Sequence, residues 1–556
     1  MRGDVLFRTI FRLKLRAAQR MLRSAREPAA AQQACLRELL AYNAETTYGK
    51  RHGFAGIDSI PAFQESVPLI LYEDIRAIVD TIADGSDPHA LTRDDVIAFS
   101  TSSGTTNRPK LIPITKSAIQ RESRVKEGYA AFLVHDHPEI LRGQWFVLFN
   151  RTDVGHTPTG LEYGSNAGYM YVTTPGIFKR RFFPVPYEVC LIDDYASRYY
   201  TILRFLLECD LTYLICINPF SALLLARLVD TWKDDLLRDL RGGGLKQTLE
   251  LSDGQRAFFT ERLSADRERA ARLTAEADRR GRLEPRDYWP NLSIVSSWRT
   301  GHSRFFADRI PEWYPHATVR EVGYGSSEFR TGLVVSDDGS HNIPVPDNYF
   351  YEFIPLGDEE PYRAGRKPLP LLHELEQGAK YHLIQTGIHG FYRYEVQDIV
   401  AVNGRYEQTP TIEFVQKSGS YTSVAGEELY EFQVGDAIRR VGELDGELEP
   451  VFFVAYADAD NRLYRVAAEF RGHPDEQLFG ERLDVALRDQ CPSYARARAD
   501  GELEPPRLHV LDPGQGDAYV QWISEGALYD MQAKIHRLKP DYHDDFAYLR
   551  ISRQPV

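Results

Sequence analysis

An alternation of strand and helix most constrains how this chain can fold. A strand-like run at Asp95 to Ser100 (DVIAFS) is followed by QWFVLFN (144–150), LTYLICINP (211–219) and LSIVSSW (292–298), with helical stretches such as 194–208 and 220–240 between them. β-Branched and aromatic runs separated in this way predict an α/β sheet domain. From Tyr349 the pattern turns strand-rich (YFYEFIP, KYHLIQT, GFYRYEVQDIVAV, PTIEFVQ), and after Lys417-Ser-Gly-Ser strands and helices alternate again. A chain of 556 residues is too long for one hydrophobic core. Two or three domains are therefore expected, and the change of pattern near 416–420 divides the chain into 1–416 and 417–556. The charged stretch 241–288 reads as a solvated helical segment.

Composition narrows the class. With 43% hydrophobic and 26% charged residues the chain can bury a sizeable core, and a net charge of −13 argues against a nucleic-acid partner. Its five cysteines form no C-x-x-C pair, which predicts reduced thiols in a cytoplasmic protein rather than a disulfide framework or zinc site. No apolar run is long enough to span a bilayer, so no integral membrane segment is expected. The first 26 residues carry eight Arg or Lys against Asp4 alone, interleaved with Leu6, Phe7, Ile10, Phe11, Leu13 and Leu15. A secretory signal would need a clean apolar stretch, so the segment reads as an amphipathic helix packed on the body; a targeting or membrane-surface helix is the alternative.

The richest chemistry lies in FSTSSGTTNRPKLIPIT (99–115). Thr101, Ser102, Ser103, Thr105 and Thr106 surround Gly104, and Lys110 follows. Hydroxyls, N–H groups and a lysine around a glycine that permits close approach can wrap a polyphosphate. The G-x-x-x-x-G-K-[ST] spacing of a Walker loop is absent. A second block, GYGSSEFRTG (323–332), puts an aromatic, small residues and a carboxylate on one tight turn. Such a turn can stack adenine on Tyr324, bring Ser326 and Ser327 to a phosphate and hold Mg²⁺ on Glu328, and a plain strand-end turn with an exposed acid is the alternative. Hydrolase chemistry has no G-x-S-x-G elbow to rest on, and no H-E-x-x-H occurs.

S-S-G-T-T-x-x-P-K resembles the phosphate loop of adenylate-forming enzymes, with Asn107 where glycine is usual. The Ser-Ser-Glu form of the second block is similar to the auxin-responsive-promoter (Gretchen Hagen) family of acyl-acid amido synthetases. So are NAETTYGKRHGF (43–54), IDSIPAFQESVPLILYEDI (57–75), DNYFYEFIP (347–355) and QTGIHGFYRYEVQDIVAV (385–402). The resemblance implies a large α/β N-terminal domain and a small α+β C-terminal lid. It also implies a two-step reaction: ATP with Mg²⁺ adenylates a small carboxylic acid, and an amine, usually of an amino acid, then takes the acyl group.

By the same resemblance Asp398 would accept the ribose hydroxyls, as a carboxylate suits a diol. Arg393 would face the nucleotide beside Tyr392. Lys534, in Gln532-Ala-Lys-Ile535, would swing over the α-phosphate. Trp298, Thr300 and Gly301 are candidates for lining the acyl or adenine pocket. Gln397 replaces the family's glycine before the aspartate, which implies a wider turn, and Glu428 replaces a hinge lysine. A monomer is expected. The competing readings are an acyl-CoA ligase and a non-catalytic nucleotide-binding protein.

Overall fold

The computed structural model describes residues 2–101, 109–339, 342–444, 448, 450–527 and 536–541, with backbone alone at 2–4, 521 and 524–527. Two compact units are formed, Met1–Phe414 and Val415–Val556.

At the centre of the first unit is a parallel sheet of Gln144–Val147, Leu211–Ile215, Ile294–Ser297 and Thr318–Glu321, side by side in chain order. Helices form the connections, and its inner strands are buried, down to Ser296 and Ser297. Local signals start the crossover helices. Asp194 accepts the Ser197 N–H at 2.7 Å to begin Tyr195–Leu207, and Asn218 accepts from Phe220 before Pro219–Thr231.

A second sheet pairs Val96–Thr101 antiparallel with Leu111–Thr115 and parallel with Glu162–Gly164. The ends of its two longer strands thus flank the Ser/Thr/Gly loop. An antiparallel sheet of Phe350–Pro355, Lys380–Thr386, Tyr394–Tyr406 and Thr409–Lys417 follows. Its aromatic residues pack with the N-terminal helices into one core that includes Leu39, Phe63, Val79, Phe350, Phe391 and Tyr392.

The first helix, Arg2–Met21, buries Phe7, Phe11, Ala18 and Met21. Phe7 meets the rings of Phe178 and Phe182, and Phe11 meets Trp145. The charged stretch is less solvated than its composition predicts. The helix Arg267–Arg280 buries Ala270 and Leu273, and Arg269 donates to the carbonyls of Cys209 and Tyr288.

The second unit is an α+β layer. Strands Arg507–Val510, Leu463–Phe470, Pro450–Asp458 and Leu538–Lys539 form one sheet. The helices Glu431–Leu444 and Glu476–Gln490 pack Val434, Ile438 and Leu483 against Phe453, Ala455 and Val466. In Gly426-Glu427-Glu428, Glu427 is the internal pin, accepting the N–H groups of Val424 and Ala425 and the Tyr464 hydroxyl. Glu428, at the family's lysine position, is exposed.

Candidate functional site

The second sequence block is a turn closed by its own side chains. It leaves the strand Thr318–Glu321, whose buried Glu321 accepts the N–H of Gly323 at 3.0 Å and of Arg299 at 2.6 Å. Burial pushes the Glu321 carboxyl up, with those two donors opposing it. Gly323 has φ +92°, and a Cβ there would lie 2.6 Å from the Gly332 carbonyl, so only glycine fits. Ser326 Oγ accepts the N–H groups of Glu328 and Phe329, each at 3.2 Å, and Asn342 Oδ1 holds the Tyr324 N–H at 2.9 Å. Small hydroxyl residues are used here because they bond back to the turn's own backbone.

Asp398 is positioned by a bulge. His382 pairs with Ile399 and Ile384 with Glu395, so the single residue Leu383 faces Val396, Gln397 and Asp398. Gln397 sits at φ +61°, the left-handed backbone that a glycine would take. Glutamine takes this conformation within a bulge of three residues against one, which re-aims Asp398 out of the ladder.

The two blocks brace each other reciprocally. The Tyr324 hydroxyl donates to Asp398 Oδ2 at 2.6 Å, and the Tyr394 hydroxyl donates to Glu328 Oε1 at 2.9 Å. Each tyrosine thus holds the carboxylate that lies four residues after the other tyrosine. All four side chains are buried. Both phenols are pushed well above their ordinary pKa, first by burial and then by the facing carboxylates, so both remain donors. Phe414 stacks on Tyr324, its ring 6.1 Å away and tilted by 13°.

Arg393 is not part of this arrangement. Its guanidinium forms a buried ion pair with Glu352 at 3.0–3.1 Å and donates to the carbonyls of Gln64 and Val67 at 2.7 Å. Tyr392 is likewise turned into the core, donating to the Leu91 carbonyl and stacking on Tyr48. The expectation that both face a nucleotide gives way to a scaffold role, because their polar atoms are committed to protein partners.

Beside the brace lies a cavity of about 310 Å³. Ser327 and Glu328 form part of its wall, with Ser100 from the strand that leads into the Ser/Thr/Gly loop, Ile112 and Ile114 from the strand that leaves it, and His389. The helices Lys116–Asp136 and Asn166–Thr173 complete it with Ala118, Ile119, Glu122 and Met170. Among the described residues, two buried polar atoms on this wall, Ser100 Oγ and His389 Nε2, meet no hydrogen-bond partner. Burial between Phe329 and Phe391 lowers the His389 imidazole to about 4, so it is neutral at physiological pH.

The other expected residues are dispersed. Thr101 donates to the Gly164 carbonyl at 3.3 Å. Lys110 stands at the mouth of the strand Leu111–Thr115, its Nζ 5.6 Å from the Tyr72 ring. Ser102, Ser103, Gly104, Thr105, Thr106, Asn107 and Lys534 lie outside the described residues. Trp298, Thr300 and Gly301 follow the parallel strand Ile294–Ser297 but do not line the cavity. Their loop reaches the Tyr324 side instead, through His302, whose ring meets Phe414 edge-on at 5.9 Å.

Sequence reasoning missed His389, Phe414 and Asn342. His389 stood in view within GIHGFYRY as a polar residue in an otherwise apolar and aromatic run. Nothing local marks Phe414 or Asn342, whose partners are 90 and 18 residues away.

Residues 17–319 match the GH3 family N-terminal domain, 342–417 its central domain and 432–543 its C-terminal domain. The chain belongs to the GH3 family. This is the family whose motifs the sequence resembles. Among curated relatives, the jasmonoyl–L-amino acid synthetase JAR4 of Nicotiana attenuata is 23% identical, over 81% of this chain and 80% of that protein. The indole-3-acetic acid-amido synthetase GH3.3 of Arabidopsis thaliana is 25% identical, over 91% of this chain and 88% of that protein. The solved structure of the AtGH3.15 acyl acid amido synthetase in complex with 2,4-DB superposes with a TM-score of 0.78. It covers 96% of this GH3 chain and 95% of its own at 20% identity, which establishes the shared fold.

Proposed function

We propose that this GH3-family protein is an ATP-dependent acyl-acid amido synthetase, adenylating a small carboxylic acid and passing the acyl group to an amino acid. The observation that carries the reading is the reciprocal brace. It holds two buried carboxylates at fixed positions beside a cavity whose wall has unsatisfied polar atoms, the arrangement expected of a ligand site rather than a void.

In the first half-reaction a carboxylate oxygen of the acid attacks the α-phosphorus of ATP, the bond to pyrophosphate breaks, and acyl adenylate forms. Asp398 receives the ribose diol, aligned by Tyr324. Ser102 to Thr106 and Lys110 hold phosphates. The cavity holds the acid, with Ser100 and His389 among its polar contacts and Ile112, Ile114 and Met170 among its apolar ones. Lys534 supplies charge to the α-phosphate while pyrophosphate leaves.

Glu328 is the residue that would hold Mg²⁺. Its carboxylate reaches the cavity wall, and no cluster of three or more His, Cys, Asp or Glu suited to a metal occurs among the described residues. A single fixed carboxylate fits this ion, which takes one or two protein ligands plus substrate phosphates. When bound it would neutralise phosphate charge as pyrophosphate departs.

In the second half-reaction the deprotonated amine attacks the acyl carbon. The bond to AMP breaks, and the nitrogen loses its remaining surplus proton. The unit Val415–Val556 is assigned the role of mobile lid, carrying Lys534 away between steps. The hydrogen bonds that hold Asp398 and Glu328 with Gln397 present support the catalytic reading over a non-catalytic one. The test is pyrophosphate release over a panel of acids crossed with amines. Release that depends on an acid, with amide in the product, supports the proposal; none from any acid opposes it.

A further inference from the structure

The first helix carries more than the face it packs. Phe7, Phe11, Ala18 and Met21 point inward, while Leu6, Ile10, Leu13 and Ala17 recur at i, i+4, i+7 and i+11 along one flank. Leu6 and Leu13 are 48% and 58% exposed. Among the described residues the first unit has eight large hydrophobic side chains in the exposed class. Six of them, Val5, Leu6, Leu13, Met170, Val172 and Ile177, lie on this helix or on 166–182. The two segments touch, since Phe7 packs on Phe178 and Phe182.

The same region is basic in a chain of net charge −13. Arg8, Arg12, Arg16, Arg20 and Arg180 are exposed. Lys14, by contrast, is paired with Glu127 at 2.5 Å. A local excess of cations around apolar side chains, on an acidic protein, calls for an anionic and apolar occupant. A second copy of the chain would bring two such sets of arginines together, and like charges would oppose it.

We infer that the exposed flank of the first helix, with the neighbouring 166–182 segment, is a docking surface for an anionic lipid bilayer. Leu6, Leu13 and Ile177 enter the acyl boundary, and Arg12, Arg16 and Arg20 meet the headgroups. Among the described residues no helix is long and apolar enough to cross a membrane, and the contact proposed is a peripheral one. One consequence rests on the acyl-acid reading above. The cavity's rim includes Lys126, Glu127, Met170 and Thr173, so an acid dissolved in the bilayer surface would lie beside its mouth.

The experiment is co-sedimentation of the full chain with large unilamellar vesicles of phosphatidylcholine alone, or of phosphatidylcholine containing phosphatidylglycerol. Binding should require phosphatidylglycerol and fall with added salt. The triple variant Arg12→Gln, Arg16→Gln, Arg20→Gln should bind about a hundredfold more weakly. Leu6→Ser with Leu13→Ser should lose about tenfold at unchanged salt dependence. These positions are exposed, and thermal melts will verify that the variants fold. Equal sedimentation with both vesicle types, no sedimentation with either, or undiminished binding by the arginine variant would overturn the inference. So would lipid-free dimerisation abolished by the leucine variant, which would make the flank a protein interface. None of these outcomes depends on adenylation activity.

Discussion

Removing one hydroxyl at a time from the brace should separate its two halves. In Tyr324→Phe the ring remains stacked on Phe414, but Asp398 loses a donor 2.6 Å away in a buried setting. A hydrogen bond to a charged group is worth about 1.5–3 kcal/mol, or roughly 10- to 150-fold in an equilibrium constant. If Asp398 receives the ribose, the KM for ATP in acid-dependent ATP–pyrophosphate exchange should rise within that range. The preference for ATP over 2′,3′-dideoxy-ATP should shrink, because a carboxylate no longer aligned discriminates the diol less well. In Tyr394→Phe the loss falls on Glu328, 2.9 Å away. There the Mg²⁺ concentration for half-maximal exchange should rise while the ATP to dideoxy-ATP preference stays that of the wild type. The assay is exchange measured against ATP, its dideoxy analogue and Mg²⁺ in turn, with thermal melts confirming that both variants fold. Identical responses of the two variants, or wild-type values in both, would refute the assignment of separate ligands to the two carboxylates.

Asp398→Ala and Glu328→Ala should each cut exchange by at least ~100-fold, and near-native exchange in both would remove the site assignment. Lys534→Ala should impair adenylation more than amide formation from preformed acyl adenylate, since its charge is needed while pyrophosphate leaves; equal losses would count against the swinging role. Glu352→Gln should destabilise the fold by about 3–5 kcal/mol in urea denaturation, because it strands the buried Arg393 charge. An unchanged midpoint would show that Arg393 is not held there as scaffold.

Three strands of the parallel sheet were legible from apolar and aromatic runs at 144–150, 211–219 and 292–298, whereas Thr318–Glu321 carries no such run and the strand read at Asp95 to Ser100 pairs in a separate sheet. The candidate carboxylates were legible for a different reason. Glu328 and Asp398 stand inside compact motifs whose order along the chain carries the resemblance. What those motifs hide is the pairing between them. Tyr324 and Tyr394 each precede an acid by four residues, and nothing in either motif shows that each tyrosine serves the other motif's acid. Arg393 misled for a related reason. It is adjacent to Tyr394 in sequence but lies just before the strand Tyr394–Tyr406, where a left-handed backbone at φ +47° accompanies its pairing with Glu352. The cavity was invisible because its walls come from Ser100, 112–127, 166–175, 327–328 and His389. The reading of Gln397 shows the limit of substitution arguments. Sequence marks Gln397 as unusual, whereas the structure shows that glutamine takes the left-handed backbone a glycine favours.

The central claim is the acceptor. A working acid and ATP should be supplied with either CoA or a panel of amino acids, and the products identified by mass. The account predicts an amide with at least one amino acid, no consumption of CoA, and amide formation that quickens as pH rises through about 8, where an α-amino group loses its proton. An acyl-CoA thioester with no amide from any amino acid would contradict it, and would make this chain an acyl-CoA ligase that uses the same adenylation site.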